Sequence, residues 1–146
     1  LQQIKLVPII RQACDVFVGT KNVEIYVVDQ STLEVFIMGD KDQLLRSFNN
    51  LLKNAIEAAS DNEECMIYIK LRNDQKKVWI EVSDNGKGID YYLQDKIFAP
   101  NFTTKSSGTG LGLAFVKQAV ENAGGTVDFK SVIEKGTTFY LSFPLA

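Results

Sequence analysis

The amino-acid sequence predicts an α/β sandwich of α+β type, in which about three helices cover one face of a mixed, largely antiparallel sheet. Two observations predict this class. Stretches of apolar residues at helical spacing alternate with short β-branched and aromatic runs, and those runs come in closely spaced pairs. The 146 residues include 45% hydrophobic and 23% charged residues, which is typical of an ordinary globular protein. One domain spanning residues 1–146 is therefore expected.

Apolar periodicity predicts three helices. The first runs from Leu6 to about Val18 and stops at Gly19. The second is long and follows Asp40, which is a suitable N-cap residue. The third spans Leu111 to Asn122 and ends at Gly124-Gly125, since glycine commonly ends helices. The apolar stripe of the second helix consists of Leu44, Phe48, Leu51, Leu52, Ala55, Ile56 and Ala59.

Six segments are predicted as strands because they are rich in β-branched and aromatic residues. They are residues 23–28, 35–38, 66–71, 78–82, 127–133 and 138–143. In chain order they form three pairs, each joined by polar residues and interpreted as a hairpin. Residues from about Asp90 to Thr109 are mixed in character and rich in Gly, Ser and Thr toward their end. This composition predicts a short helix followed by a mobile loop.

Charge and composition exclude several classes of partner. The formal net charge is −2, and the basic residues are scattered, so neither nucleic acid nor an anionic membrane is expected as a partner. No apolar run reaches the roughly 20 residues of a membrane helix, and no signal layout opens the chain, so the fragment is expected in the cytoplasm. Cys14 and Cys65 lack any metal-binding spacing and are expected to be isolated reduced thiols. The chain begins at Leu1 and contains no histidine, and we interpret it as a fragment of a larger protein.

Three separated motifs, residues 50–54, 84–88 and 108–113, together suit a nucleoside triphosphate. Asp84 follows a predicted strand directly, and its carboxylate can accept a hydrogen bond from the exocyclic amine of adenine. Gly86 and Gly88 leave room for a flat base. The alternative is that residues 84–86 form a plain turn. A returning strand should then follow, whereas a second glycine and a loop follow instead, which favours the ligand.

Asn50 and Asn54 are four residues apart and so share one side of the second helix. A Mg²⁺ ion bound to phosphates takes only one or two oxygens from the protein. Asn54 is the candidate metal ligand, and Asn50 is expected to contact the phosphates or a metal-bound water. The alternative is that both face solvent. Asn is a poor residue for a helix interior, however, and these two bracket the apolar pair Leu51-Leu52.

Gly108, Gly110 and Gly112 alternate where the third helix begins. Such a helix start presents bare backbone N–H groups, which favour phosphate. The same alternation resembles a dinucleotide fingerprint, but that motif needs a strand immediately before it, and a polar loop precedes it here. Lys105 is the candidate cation for the β- or γ-phosphate, with a plain solvated lysine as the alternative.

These residues resemble the catalytic and ATP-binding domain of bacterial sensor histidine kinases, a member of the GHKL or Bergerat-fold superfamily. The resemblance covers nearly the whole chain and implies the two-layer sandwich with a flexible ATP lid at about residues 90–108. The matching segments are Asn50 to Asn54 and Ala55 (N box), Asp84 to Gly88 (first glycine box), Ile97 to Pro100 with Phe102 to Lys105 (phenylalanine box), Gly108 to Leu113 (second glycine box) and Gly136 to Phe139, whose Thr137 would line the adenine pocket.

The resemblance implies a protein that binds Mg-ATP and donates the γ-phosphoryl group to a histidine on a separate dimerisation domain. A response regulator receiver domain would act downstream, and the isolated fragment would be inactive without its phosphoacceptor domain. Asn50 and Lys105 would be catalytic, and Asn54 would bind the metal. The implied ATP-binding residues are Asn50, Asn54, Asp84, Gly86, Gly88, Ile89, Phe98, Thr103, Thr104, Lys105, Gly108, Thr109, Gly110, Leu111, Gly112, Leu113 and Thr137.

Two positions, Glu57 and Asn50, bear on how the phosphates would be bound and on whether phosphoryl transfer or hydrolysis is expected. Glu57 stands where many family members have a lysine near the phosphates, which leaves Lys105 as the candidate cation. Hydrolysing relatives place a glutamate at the position of Asn50 to activate water, and a carboxamide is a far poorer base, so transfer is favoured over hydrolysis. The alternatives are a serine kinase or ATPase of the same superfamily, and a nucleotide-binding module that signals without transfer.

Overall fold

A computed structural model describes residues 1–59, 63–100 and 112–146. Seven strands, three α-helices and one 3₁₀ helix are seen in these ranges. In chain order they are β1 (Gln2–Lys5), α1 (Leu6–Asp15), β2 (Val23–Asp29), β3 (Phe36–Gly39), α2 (Lys41–Glu57), β4 (Cys65–Asn73), β5 (Lys77–Asp84), the 3₁₀ helix (Tyr91–Lys96), α3 (Gly112–Asn122), β6 (Thr126–Val132) and β7 (Gly136–Pro144).

The main sheet has five strands in the order β2-β4-β5-β7-β6. Strands β2 and β4 are parallel, and every other neighbouring pair is antiparallel, which confirms the mixed, largely antiparallel sheet. Successive side chains of a strand point to opposite faces. Along β4 the buried residues are Cys65, Ile67, Ile69 and Leu71, whereas Tyr68, Lys70 and Arg72 between them are exposed. One face of the sheet is therefore covered by the helices.

Helix α2 is the central helix and packs against α1, α3, β4 and β5. Asp40 caps its start as the sequence predicts, because the Gln43 N–H donates to Asp40 Oδ1 at 3.0 Å. The buried polar residue Ser47 satisfies its hydroxyl by donating to the Gln43 carbonyl oxygen at 2.8 Å. The buried side of α2 consists of Leu44, Ser47, Phe48, Leu51, Leu52 and Ala55.

The first predicted hairpin, residues 23–28 with 35–38, is wrong. Strand β2 pairs in parallel with β4, whereas β3 pairs antiparallel with β1 in a separate two-stranded sheet. The connection after β2 runs along the end of β4, where the Gln30 N–H donates to the Leu71 carbonyl oxygen and the Thr32 N–H donates to Asn73 Oδ1. Local β-propensity marks a strand but does not choose its partner. Strand β1 was not predicted because only Ile4 among its four residues is buried.

The other two predicted pairs are confirmed as the β4–β5 and β6–β7 ladders. Helix α1 ends at Asp15, three residues before the predicted end, and a turn follows it. Helix α3 ends at the predicted glycines, since Gly124 has a φ of +77° and the Gly125 N–H donates to the Val120 carbonyl oxygen. The short helix after residue 90 is confirmed as the 3₁₀ helix.

Both cysteines are free, as predicted. Burial raises the pKa of the Cys14 and Cys65 thiols above the ordinary value. None of the described helices is both long enough and apolar enough to span a bilayer.

Candidate functional site

Asp84 is the last residue of β5, a central strand of the main sheet, so the predicted strand-end position is confirmed. Its Oδ1 atom accepts two backbone hydrogen bonds, from Gly86 at 2.8 Å and from Thr137 at 3.2 Å. The Oδ2 atom has no hydrogen-bond partner among the described residues. The carboxylate is thus fixed through one oxygen, and the other oxygen is left as an acceptor for a ligand.

Burial is the main cause that raises the pKa of Asp84 above its ordinary value of 3.8, and the N–H groups of Gly86 and Thr137 oppose the rise. Burial disfavours the charged form of a carboxyl group, whereas hydrogen bonds to the carboxylate favour it. Since burial outweighs the two hydrogen bonds, the folded protein holds this carboxylate at a net cost at neutral pH. A buried ionisable group whose pKa is shifted in this way is common in functional sites.

We expect Asp84→Asn to stabilise the nucleotide-free protein at pH 7, because the amide keeps an Oδ1 acceptor for both N–H groups and removes the buried charge. The folded-state pKa lies above the unfolded value, so the gain should shrink as the pH falls through the folded-state pKa toward 3.8. Urea unfolding at a series of pH values measures this gain.

Asp74→Asn is the matched control, because Asp74 Oδ1 also accepts two backbone hydrogen bonds, from Lys76 and Lys77. These bonds lower the pKa of the Asp74 carboxyl group. Asp74→Asn should therefore destabilise the protein at pH 7, and this loss should disappear on acidification. A gain for Asp84→Asn that grew as the pH fell would contradict the assignment.

The loop after Asp84 packs on the C-terminal end of α2. The Lys87 N–H donates to the Ala58 carbonyl oxygen at 2.9 Å, and a Cβ atom on Gly86 would lie 2.6 Å from that same oxygen. Only glycine fits such a close approach without a shift of the backbone. Ala58 comes four residues after Asn54, so the loop packs about one helical turn beyond the N box.

The other side of the loop packs on the β6–β7 hairpin. The Glu134 N–H donates to the Lys87 carbonyl oxygen at 2.8 Å. Gly88 has a φ of +76°, and a Cβ atom there would overlap the Val132 carbonyl oxygen. Gly86 and Gly88 thus accommodate the backbone of the chain itself, a role that their sequence context does not predict. Their role in admitting a base stays a prediction.

We expect Gly88→Ala to destabilise the protein by about 3 kcal/mol, because it combines an unfavourable left-handed φ with a steric overlap. Gly19→Ala is the matched control. Its φ is +84°, but a Cβ atom there meets nothing within 4 Å, so it should cost only about 1 kcal/mol. Chemical denaturation of both variants measures the difference, and equal losses would show that the Val132 backbone moves aside.

Thr137 lies beside Asp84 and is only 5% exposed. Its side-chain hydroxyl is 2.8 Å from that of Ser131, which stands directly opposite it in the β6–β7 ladder. Ser131 also accepts a hydrogen bond from the Ile89 N–H at 2.7 Å. Sequence reasoning missed Ser131. The register of the last hairpin could have found it, since a turn centred on Glu134 places residues 131 and 137 opposite each other.

Asn50 and Asn54 lie on α2 and are both partly buried. The Asn50 Nδ2 group donates to the carbonyl oxygen of Gly112 at 3.2 Å. This contact ties α2 to the first residue of α3, so the structure brings the N box and the end of the second glycine box together. It also gives Asn50 a structural contact that the spacing of the two asparagines does not predict.

Phe98 anchors the segment that follows the 3₁₀ helix. Its ring makes edge contacts with Phe129 at 5.8 Å and Phe139 at 6.3 Å between centroids, a favourable geometry for aromatic pairs. The Lys117 ammonium group lies 5.7 Å from the centre of the same ring. Phe98 is therefore held between the β6–β7 hairpin and α3.

Several predicted site residues lie outside the described residues, and the predictions for them stand untested. These are Thr103, Thr104, Lys105, Gly108, Thr109, Gly110 and Leu111. Gly112 and Leu113 form the first turn of α3, and Leu113 packs against the core. Gly112 thus occupies the helix start that the glycine motif predicts.

Curated proteins similar to this chain include two bacterial kinases. A sensor histidine kinase, ZraS of Escherichia coli (strain K12), is 43% identical over 109 residues, which are 75% of this chain and 23% of the relative. Sporulation kinase A of Bacillus subtilis (strain 168) is 41% identical over 110 residues, which are 75% of this chain and 18% of the relative. The chain therefore spans about a fifth of the length of these two relatives.

Solved structures show the same fold. The catalytic domain of the histidine kinase ThkA is 28% identical in sequence and superposes with a TM-score of 0.84. The superposition covers 98% of this chain and 94% of the ThkA chain. Residues 39–146, which include α2, the Asp84 loop and α3, match the family of histidine kinase-, DNA gyrase B- and HSP90-like ATPases. The chain belongs to this family, and its relatives within it are sensor histidine kinases.

Proposed function

We propose that this domain binds Mg-ATP between the Asp84 end of the sheet and the Asn50–Asn54 side of α2, and donates the γ-phosphoryl group to a histidine on a separate dimerisation domain. The observation that carries the proposal is the fixed carboxylate of Asp84, which is anchored through Oδ1 and leaves Oδ2 as an acceptor. Membership in the ATPase family and the kinase relatives support it.

Asp84 would select the base. The exocyclic amine of adenine is a hydrogen-bond donor, and Oδ2 can only accept while the carboxyl group is ionised. Guanine carries a carbonyl oxygen at the equivalent ring position, so it would place an acceptor against an acceptor. Discrimination of this kind is large, because a buried polar group is left without a partner in the wrong complex.

Asn54 would supply one oxygen ligand to Mg²⁺, which prefers oxygen ligands and keeps several waters when it is bound to phosphates. Asn50 lies one turn earlier on α2, next to the start of α3, and would contact the phosphates or a metal-bound water. The N–H groups of residues 108–112 and the Lys105 ammonium group would neutralise charge on the phosphates. Phosphoryl transfer needs mainly this positioning and neutralisation.

A histidine acceptor suits the residues near the phosphates. A neutral imidazole nitrogen would attack the γ-phosphorus through a lone pair that carries no proton, and the phosphorus–oxygen bond to ADP would break with its electron pair left on ADP. The proton on the other ring nitrogen would leave to solvent afterwards, so no base has to deprotonate the attacking atom. Hydrolysis or transfer to a serine requires removal of a proton, and the carboxamide of Asn50 is a poor base for that step. The chain contains no histidine, so the acceptor must lie outside residues 1–146.

We infer that residues 1–146 form one catalytic unit of a larger sensor kinase. The unit would act in the cytoplasm, where ATP is available. The phosphoryl group would then pass from the histidine to a response regulator receiver domain. The names of the kinase relatives support this placement.

The test is a transfer assay with γ-labelled ATP, Mg²⁺ and the histidine-containing dimerisation domain of the same protein, made separately. We expect an acid-labile label on that domain, and none on a variant whose acceptor histidine is replaced by glutamine. An acid-stable label would indicate a serine kinase, and release of free phosphate an ATPase. Tight ATP binding with no transfer to the supplied domain would indicate a signalling module. Each of these three outcomes contradicts the proposal.

A further inference from the structure

The geometry points to Ser131 as a positioning residue that links the loop after β5 to Thr137 and so sets the selectivity of the site for adenine. This inference rests on the proposed function, because it assigns a selectivity device to the same site. Ser131 touches no ligand in this scheme. It acts through the orientation of the Thr137 hydroxyl and through the position of Ile89.

The hydroxyl groups of Ser131 and Thr137 lie side by side in the β6–β7 hairpin. Ser131 in β6 and Thr137 in β7 are directly opposite each other, and their hydroxyl oxygens are 2.8 Å apart. Thr137 is buried, and Phe139 and Leu141 follow it at alternate positions on the buried side of β7. A cross-strand pair of hydroxyls inside a sheet normally forms one hydrogen bond.

Ser131 also accepts a hydrogen bond from the loop after β5. The Ile89 N–H donates to Ser131 Oγ at 2.7 Å. A backbone N–H is an obligatory donor, and leaving it unpaired when it is partly buried is unfavourable. The Ser131 oxygen is therefore an acceptor here, and its hydroxyl fixes Ile89 at the end of the loop that begins at Asp84.

The Ser131 hydroxyl proton has two acceptors within reach. It can donate to Thr137 Oγ1 at 2.8 Å or to the Gly136 carbonyl oxygen at 3.4 Å. Either hydroxyl of this pair is placed to donate to the other, and the shorter distance gives the stronger bond for the Ser131 proton, so we infer that Ser131 donates to Thr137. Thr137 then accepts from Ser131 and keeps its own proton for another partner. The opposite orientation would leave the Ser131 proton with only the long contact to Gly136.

The Thr137 hydroxyl lies close to the Asp84 carboxylate, because the two residues are hydrogen-bonded to each other. The Thr137 N–H donates to Asp84 Oδ1, so the hydroxyl of Thr137 and the free oxygen of Asp84 belong to neighbouring groups. A donor beside an acceptor matches adenine, whose ring nitrogen accepts next to the amine that donates. Hypoxanthine, the base of inosine triphosphate, presents the reverse pattern. Ser131 thus supports discrimination between the two bases.

The test compares ATP with inosine triphosphate by calorimetry, in the presence of Mg²⁺, for Ser131→Ala and Ser131→Thr. In Ser131→Ala the ATP affinity should fall about fivefold, as for the loss of one ordinary hydrogen bond. The affinity for inosine triphosphate should change little, so the ratio of the two affinities should fall about fivefold. Ser131→Thr keeps the hydroxyl and should restore the ratio.

Hydrogen exchange of the Ile89 amide in the nucleotide-free protein is the second readout, measured by NMR. It should be about tenfold faster in Ser131→Ala and unchanged in Ser131→Thr. The matched control is Ser142→Ala, because Ser142 pairs with Thr126 at 2.7 Å in the same hairpin, at the end away from Thr137. This control should keep both the ratio and the exchange rate of Ile89.

Equal losses of affinity for the two nucleotides would overturn the inference, because they indicate a merely structural role. An unchanged Ile89 exchange rate in Ser131→Ala would also overturn it. Ser131→Cys fills a similar volume with a weaker donor, and it replaces the alanine variant if that variant does not fold. Failure of the proposed nucleotide binding is distinguishable, since the wild-type protein would then bind neither nucleotide, and failure of transfer alone would leave the ratio of the two affinities unaffected.

Discussion

The Asp84→Asn variant is expected to bind ATP about 100-fold more weakly than the wild-type protein. The amide oxygen can still accept from Gly86 and Thr137, so the loop should stay in place. The atom in the position of Oδ2 becomes an NH₂ group, which places a donor against the donor amine of adenine. A charge-assisted hydrogen bond is worth roughly 1.5–3 kcal/mol, and its replacement by two opposed donors adds to the loss.

Calorimetric titration with ATP and Mg²⁺ measures this effect. Asp74→Asn is the matched control. Its side-chain oxygen can still accept the two backbone hydrogen bonds from Lys76 and Lys77, but it lies at the other end of the β4–β5 hairpin. It should leave the affinity unchanged. Binding by wild type should also weaken as acidification protonates Asp84, and this should begin above the ordinary value of 3.8 because burial raises the pKa. Unchanged ATP affinity in Asp84→Asn would refute the role of this carboxylate.

The Asn54→Ala variant is expected to lower the rate of phosphoryl transfer by on the order of 100-fold, since a metal ligand contributes several kcal/mol to stabilising the transferred group. The Mg²⁺ dependence of ATP binding should disappear, while the adenine contact at Asp84 is retained. The fold should persist, because alanine is a better helix residue than asparagine. The transfer assay and a Mg²⁺ titration at fixed ATP concentration measure the two effects.

Two further variants sharpen this test. Lys53→Ala removes an exposed side chain from the same helix and should leave the Mg²⁺ titration unaltered. Asn54→Asp keeps an oxygen ligand and should retain Mg²⁺ dependence. An Asn54→Ala protein with the wild-type titration curve would exclude Asn54 as the metal ligand.

The features of the site that depend on a few consecutive residues could be predicted from the sequence. The strand-end position of Asp84 follows from the β-branched run before it and the glycines after it. The capped helix that bears Asn50 and Asn54 follows from Asp40 and from helical periodicity. Each of these depends on a few consecutive residues, so propensity and periodicity are sufficient to locate them.

The features that depend on long-range pairing were not predicted. Strand β2 pairs with β4 across some 40 residues of chain, and the β-propensity of β2 alone does not identify its partner. The contact of Gly86 with Ala58 and the bond of Ser131 with Ile89 depend on how separate elements pack. A glycine or serine in a loop or strand has many possible roles. Only the folded structure identifies the distant backbone group that it contacts.

The central claim is that one oxygen of Asp84 binds adenine while α2 binds the metal at the phosphates. A crystal structure of the protein with Mg²⁺ and a non-hydrolysable ATP analogue tests this most directly. We predict Asp84 Oδ2 at about 3 Å from the exocyclic nitrogen of adenine, and Asn54 Oδ1 at about 2.1 Å from Mg²⁺. A nucleotide bound elsewhere, with Asp84 Oδ2 facing solvent and no metal at α2, would contradict the account.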